Sequence, residues 1–278
     1  MNAGDVSTCK RQTNFFLLYN KNMKYPNLEK LVDIIAVLRS ENGCEWDREQ
    51  THKSLRPNML EEAYEAVDAI DDGDISNLRE ELGDVLLQVV LHSQIAKDNG
   101  EFDIEDVAKE LSDKLIHRHP HVFGSQKVHS TQEILDNWDK LKKEEKTYRK
   151  SVLDGISKSQ SALMAAQKIS KKVVKVGFEW DSVESLKDCI KSEYEEFNEA
   201  VKSGDKDHME DEMGDIFFAT VNLARWYKID AEQALLRANK KFMKRFRKME
   251  EIKTKPFEEY TFEEFNNLWK QAKIELEK

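Results

Sequence analysis

The chain has 278 residues, enough for one large domain or two ordinary ones. Hydrophobic residues make up 39% and charged residues 35%, with ten Gly and four Pro, and so few breakers among so many helix formers point to a mainly helical protein. A formal charge of −10 argues against general nucleic-acid binding, which needs a basic face, but it allows an anionic small substrate approached through divalent cations.

Residues 1–24 read as an extension ahead of the globular part. Its last stretch, FFLLYNKNMK (15–24), is too short and mixed for a signal peptide, and an organelle signal within 1–22 stays open. A first domain is expected over 25–148, where Leu31, Ile34, Ile35 and Leu38, at i, i+3, i+4 and i+7 spacing, predict an amphipathic helix. Helices follow at about 54–71 and 77–98, joined by the turn DDGD (71–74). HRHPH (117–121) lacks the Cys or spaced His partners of a tetrahedral zinc site, and Pro120 disrupts helical placement, so it reads as a loop that shapes a site. The charged stretch LKKEEKTYRKSVLDG (141–155) has little apolar periodicity and marks a boundary. The second domain, 149–278, repeats the helix pair at about 184–202 and 207–228, joined by SGD (203–205). Short connections between helices imply antiparallel neighbours in a bundle, and no stretch alternates as a strand would. The predicted fold class is all-α. Cys9, Cys44 and Cys189 form no close pair and fit a reducing cytoplasm, and no apolar run approaches the roughly 18 residues of a membrane span.

The two halves are copies of one unit. Shifted by 131 residues, LEEAYEAVDAIDDGD (60–74) falls on KSEYEEFNEAVKSGD (191–205), and EELGDVLLQVVLHSQIA (80–96) falls on DEMGDIFFATVNLARWY (211–227). After a small insertion the same offset returns, with Trp138 on Trp269 and Lys142 on Lys273.

Each copy carries acids at matched places. Glu62 and Glu65 share a face of one helix, and Glu81 and Asp84 a face of the next; Glu193, Glu196, Glu212 and Asp215 repeat the set, with the same 19-residue separation between first members. In an antiparallel hairpin the pairs face each other, and four close carboxylates repel unless a cation sits between them. Hard divalent ions with oxygen ligands, Mg²⁺ or Mn²⁺, suit such a place. The run IFFATVNLARWY (216–227) is apolar around most of its circumference, which predicts a helix buried on several sides and Asp215 aimed along packed structure. The bland alternative is a pair of solvated helix faces with acids near their N-termini. It does not explain why both copies hold one spacing.

EExxE followed by ExxD about twenty residues on, with NGCEWDREQTH, RHPHVFG, VGFEW, EMGDIFFATVNLAR and ANKKFMKRFR, resembles the MazG-type nucleoside triphosphate pyrophosphohydrolases of the all-α NTP pyrophosphatase superfamily. The resemblance covers about residues 25–278 and implies two tandem MazG-like helical bundle domains. It implies Mg²⁺ held by Glu193, Glu196, Glu212 and Asp215, attack by water at the α-phosphorus of a nucleoside triphosphate, and release of monophosphate and pyrophosphate. It also implies a second copy that is the main catalytic one, and a homodimer, because a four-helix core is completed by a partner helix pair or by the other copy. Glu61, Glu62, Glu65, Glu81 and Asp84 form the matching candidate site in the first copy. Two departures stand out: Ser192 replaces the outer acid represented by Glu61, and Glu45 replaces the Pro usual in NGCPWD.

Phosphate needs positive groups besides the metal. Lys241 and Arg245, one turn apart, suit that task, as do Lys114 and Arg118 in the first copy, with Lys187 a weaker candidate. A basic helix end complementing the dipole is the plain alternative. Trp46, Phe178, Trp180 and Trp269 are candidate base-stacking or pocket-wall residues, although aromatics are more often core, and Asn239 is a candidate sugar or phosphate contact on resemblance alone. No P-loop or nucleophile elbow occurs. A ferritin-like di-iron bundle needs two ExxH motifs on core helices, whereas this chain has Glu49-x-x-His52 in an expected loop with no counterpart in the second copy. A helical regulatory or dimerisation module without turnover stays open, above all for the first copy.

Overall fold

The computed structural model describes residues 25–277, so the predicted extension lies outside the described residues. The described elements are helices, with no strand among them. The chain divides into two compact units, with the boundary between Thr147 and Tyr148.

In the first unit, helix α1 (Pro26–Leu38) begins with Pro at its first position, where a missing N–H costs nothing. A short helix α2 (Glu45–Glu49) leads to α3 (Arg56–Asp72), which folds back on α4 (Ile75–Asp98). Ile35 of α1, Leu55, and Val90, Leu91 and Ile95 of α4 are buried together, with Leu31 and Leu38 packed against them. Burying each such aliphatic side chain contributes roughly 1.5–3 kcal/mol. Ile34, placed on the same stripe from sequence, is 44% exposed. Helix α5 (Ile104–Arg118) continues through His119 into a short helix α6 (Pro120–Phe123), and α7 (Thr131–Glu144) packs on α5. HRHPH is therefore a helix end plus a new helix rather than a loop. Pro120 stops α5 and starts α6, because proline is unfavourable inside a helix and well suited to a first position. Helix α7 reaches into the charged stretch expected to mark the domain boundary, up to Glu144.

In the second unit, α8 (Ala162–Val174) packs on α10 (Lys206–Trp226), which forms a hairpin with α9 (Val183–Ser203); α11 (Ala231–Ile252) and α12 (Phe262–Leu276) form a further pair. Met249, Leu268 and Ala272 are the buried centre of that pair, ringed by Phe257, Phe265 and Trp269. Buried polar bonds join the parts. Ser170 of α8 donates to Asn222 of α10 at 2.5 Å, and Gln167 both donates to the Ile229 carbonyl at 2.7 Å and accepts from the Ala231 N–H at 3.0 Å. Gln167 thereby fixes where α11 begins.

The two hairpins share one turn chemistry. Gly73 (φ 70°) and Gly204 (φ 76°) end the first helices in the left-handed conformation that glycine adopts without strain. Asp74 caps the next helix by accepting from the Ser76 and Asn77 N–H groups at 3.0 Å, and Asp205 accepts from Asp207 and His208 at 3.1 and 3.2 Å. With the turns matched, the acids on each side meet at equivalent heights.

Helix α10 is less enclosed than its composition predicts. Ile216, Ala219, Val221 and Asn222 are buried, but Phe217 is 58% and Phe218 36% exposed, and Asp215 also faces outward. The unit supplies α8 and α9 as its main cover, which leaves part of the circumference open.

Candidate functional site

Glu193 and Glu196 on α9 and Glu212 on α10 bring carboxylate oxygens within 4.8 Å of one another. In the first unit Glu62 of α3 joins Glu81 and Asp84 of α4 in the same way. Each cluster is thus three of the four acids expected, and the missing member differs: Asp215 in the second unit, Glu65 in the first. Both remain close enough to act through charge. Burial, then Glu196, Asp215 and Glu212 raise the pKa of Glu193, against a lowering contribution from the Cys189 thiol. Burial, then Asp84, Glu65 and Glu61 raise Glu62, and burial followed by Glu65, Asp84, Glu80 and Glu62 raises Glu81.

The expected phosphate-binding cations differ between the units. Lys241 and Asn239 lie exposed on α11, and Arg245 is half-buried with its guanidinium 5.6 Å from the centre of the Trp269 ring. In the first unit Arg118 sits 5.4 Å from Trp138 in the same manner, but it is only 8% exposed and also makes a forked pair with Glu145, its Nε donating at 3.0 and 3.1 Å and its Nη2 to Oε2. This pair raises the Arg118 pKa and lowers that of Glu145. At the repeat offset Leu276 stands where Glu145 does, and Arg245 makes no ion pair with another described residue. Lys114 pairs with Glu110 at 3.5 Å, and Lys187 is exposed on α9. Trp180 lines an open cleft of ≈ 350 Å³ with Phe178, Glu179, Asp181 and Ser185. Trp269 packs against Phe242 at 5.1 Å as part of the α11–α12 core, and Trp46 is 58% exposed.

The model of the MazG nucleotide pyrophosphohydrolase domain matches residues 50–123 and 181–249, two segments that contain both carboxylate clusters. The chain belongs to the MazG family. It is 45% identical over 249 residues to a nucleoside triphosphate pyrophosphohydrolase/pyrophosphatase MazG of Thermotoga maritima, covering 88% of this chain and 95% of that one. It is 43% identical over 257 residues to a nucleoside triphosphate pyrophosphohydrolase of Escherichia coli K12, covering 88% and 97%. An uncharacterized protein YabN of Bacillus subtilis is 43% identical over 258 residues, 91% of this chain and 53% of its own length.

Around each MazG cluster lie side chains that a search for acids alone passes over. The Cys189 thiol donates to Glu193 at 3.6 Å, Ser192 donates to Glu196 at 3.0 Å, and His208 Nε2 is 3.0 Å from Glu212 Oε1. Ser192, the departure from the double acid, thus supplies a donor where the first copy adds the further charge of Glu61. Gln88, one turn past Asp84 on the same helix, has its amide near Glu62 and opposes the rise in that acid's pKa. All four residues stand four places from a cluster carboxylate on the same helix, so the helical repeat was the signal for them. His52 does not join either cluster; its Nδ1 meets that of His92 at 2.7 Å, and burial followed by His52 lowers the His92 pKa. That removes the one ExxH motif on which a di-iron reading depended.

Two buried oxygens test whether a cation fits. Glu212 is 9% exposed, its Oε1 is held by His208, and its Oε2 has no partner; Gln88 is 4% exposed and its Oε1 also has none. An unsatisfied buried polar group costs about 1–3 kcal/mol. Oxygen donors with spare acceptor capacity, gathered where acids repel, fit a hard divalent cation. No described helix is long and apolar enough to cross a membrane.

Proposed function

We propose that this MazG protein hydrolyses nucleoside triphosphates to nucleoside monophosphate and pyrophosphate in a Mg²⁺- or Mn²⁺-dependent reaction, with the second unit as the main site. The observation that carries the reading is the cluster of Glu193, Glu196 and Glu212 with its unpartnered Glu212 oxygen, inside a matched MazG domain. Relatives named nucleoside triphosphate pyrophosphohydrolase support the substrate class.

When bound, the divalent cation neutralises triphosphate charge and polarises the scissile centre. Glu193, Glu196 and Glu212 are the residues that hold it, and exposed Asp215 completes the set from the rim. Lys241 and Arg245 bind phosphate oxygens, Arg245 with its orientation set by Trp269. Asn239 and Lys187 are assigned polar contacts at the edge, and the Trp180 cleft receives the base, while Trp269 acts through packing. Arg118, committed to Glu145, supports a first unit that contributes little turnover and serves dimerisation or regulation. A homodimer is the proposed assembly. It is supported by an exposed apolar side chain that recurs at one repeat position, Leu86 at 38% and Phe217 at 58% exposure. Free Cys44 and Cys189 agree with action in the cytoplasm, on the nucleotide pool.

A panel of nucleotides incubated with Mg²⁺ and resolved by chromatography tests the chemistry. Monophosphate plus pyrophosphate is expected, lost on chelation. Diphosphate plus phosphate would reject it.

A further inference from the structure

We propose that Gln88 is a direct oxygen donor to a divalent cation held by Glu62, Glu81 and Asp84, which makes the first unit the tighter of the chain's two cation sites. The proposal rests on the acidic clusters being cation sites and not on any turnover there.

Gln88 lies one turn past Asp84 on α4, on the stripe of Glu81. It is 4% exposed, and its amide lies near Glu62 across the hairpin. Its Oε1 is a buried acceptor without a partner, beside one of the cluster's own acids. The second copy shows that packing does not require glutamine here. Ala219 occupies the repeat position and is equally buried, at 4%. A neutral carbonyl oxygen adds a donor to the first cluster without adding to its repulsion, and hard cations accept carboxylate and amide oxygens alike. The second cluster has no such donor at that place.

The test is Mn²⁺ alone, titrated into the full-length chain and followed through the paramagnetic resonance signal of the free ion, with circular dichroism to verify helix content. Wild type is expected to bind in two classes. Gln88→Leu, or the closer-shaped Gln88→Met, should weaken the tighter class by at least about tenfold and leave the other in place. Gln88→Glu separates ligation from bracing. A carboxylate that ligates retains or tightens the class, whereas one that merely faces Glu62 repels it and weakens binding. Asp215→Asn, in the other unit, should spare the tighter class. The proposal is overturned if Gln88→Leu and Gln88→Met bind as wild type does, if Gln88→Glu falls as they do, or if Asp215→Asn removes the tighter class. No nucleotide is present, so failure here and failure of hydrolysis are read separately.

Discussion

Glu212 is the most enclosed acid of its cluster, anchored by His208 through one oxygen and left with the other free. Glu212→Gln keeps the shape and removes the charge, so it should lower the rate of NTP hydrolysis roughly 10²–10³-fold. Asp215→Asn, at the exposed rim, should cost less than Glu212→Gln. The matched Glu81→Gln should cost little, because the first unit has committed Arg118 elsewhere. Steady-state kinetics on the three variants checks the order, and a collapse in Glu81→Gln with an active Glu212→Gln would reverse the assignment of units. A different acid sets behaviour at low pH. Glu264 caps α12 and receives Lys255 at 2.8 Å, contacts that lower its pKa from 4.5 to about 2. A depressed carboxylate contributes stability that is present above the unfolded pKa and lost as pH falls through the folded value. Wild type should therefore exceed Glu264→Gln in melting temperature at neutral pH. The gap should close as pH falls from about 4.5 toward 2. A gap that stays constant over that range would refute the linkage.

Among the elements, the turn between α10 and α11 carries a strain that the other helix ends avoid. Lys228 sits at φ 58°, where its N–H donates to the Arg225 carbonyl at 2.9 Å and the Ile229 N–H to Ala224 at 2.8 Å. A side chain in the left-handed region costs about 1–2 kcal/mol, and glycine does not pay it. Lys228→Gly should raise stability to denaturant by about 1 kcal/mol, less than the strain itself because glycine loses more entropy on folding. An unchanged or lower midpoint would show that the lysine side chain compensates. The helices themselves were readable. Gly73 with Asp74 and Gly204 with Asp205 punctuate the hairpins, and the 3.6-residue period places Glu62, Glu81, Glu193 and Glu212 on facing sides. Two kinds of information were not readable. Pro120 was visible, but whether it ends a helix in a loop or begins another depends on how residues 121–123 pack in space. Nor could apolar composition show that Phe217 faces outward, since a buried stripe and a docking stripe look alike in sequence.

At the scale of the whole molecule, that outward stripe gives the proposed dimer a test. Phe217→Glu places a charge on a face that association would bury, which is costly to desolvate. Sedimentation should show wild type as a dimer at micromolar concentration and the variant shifted to monomer. An unaltered profile would locate the interface elsewhere or show a monomer from the start. The first unit carries a quieter device. Arg118 and Glu145 bind residues 27 apart, and His119 stacks edge-on against Trp138 at 4.8 Å, so α7 is held to α5 by more than the segment that connects them. Gly124 to Ser130 is a tether in addition to a side-chain clasp. A protease that nicks the chain there should leave two fragments travelling as one under native conditions, parting only when the clasp is denatured.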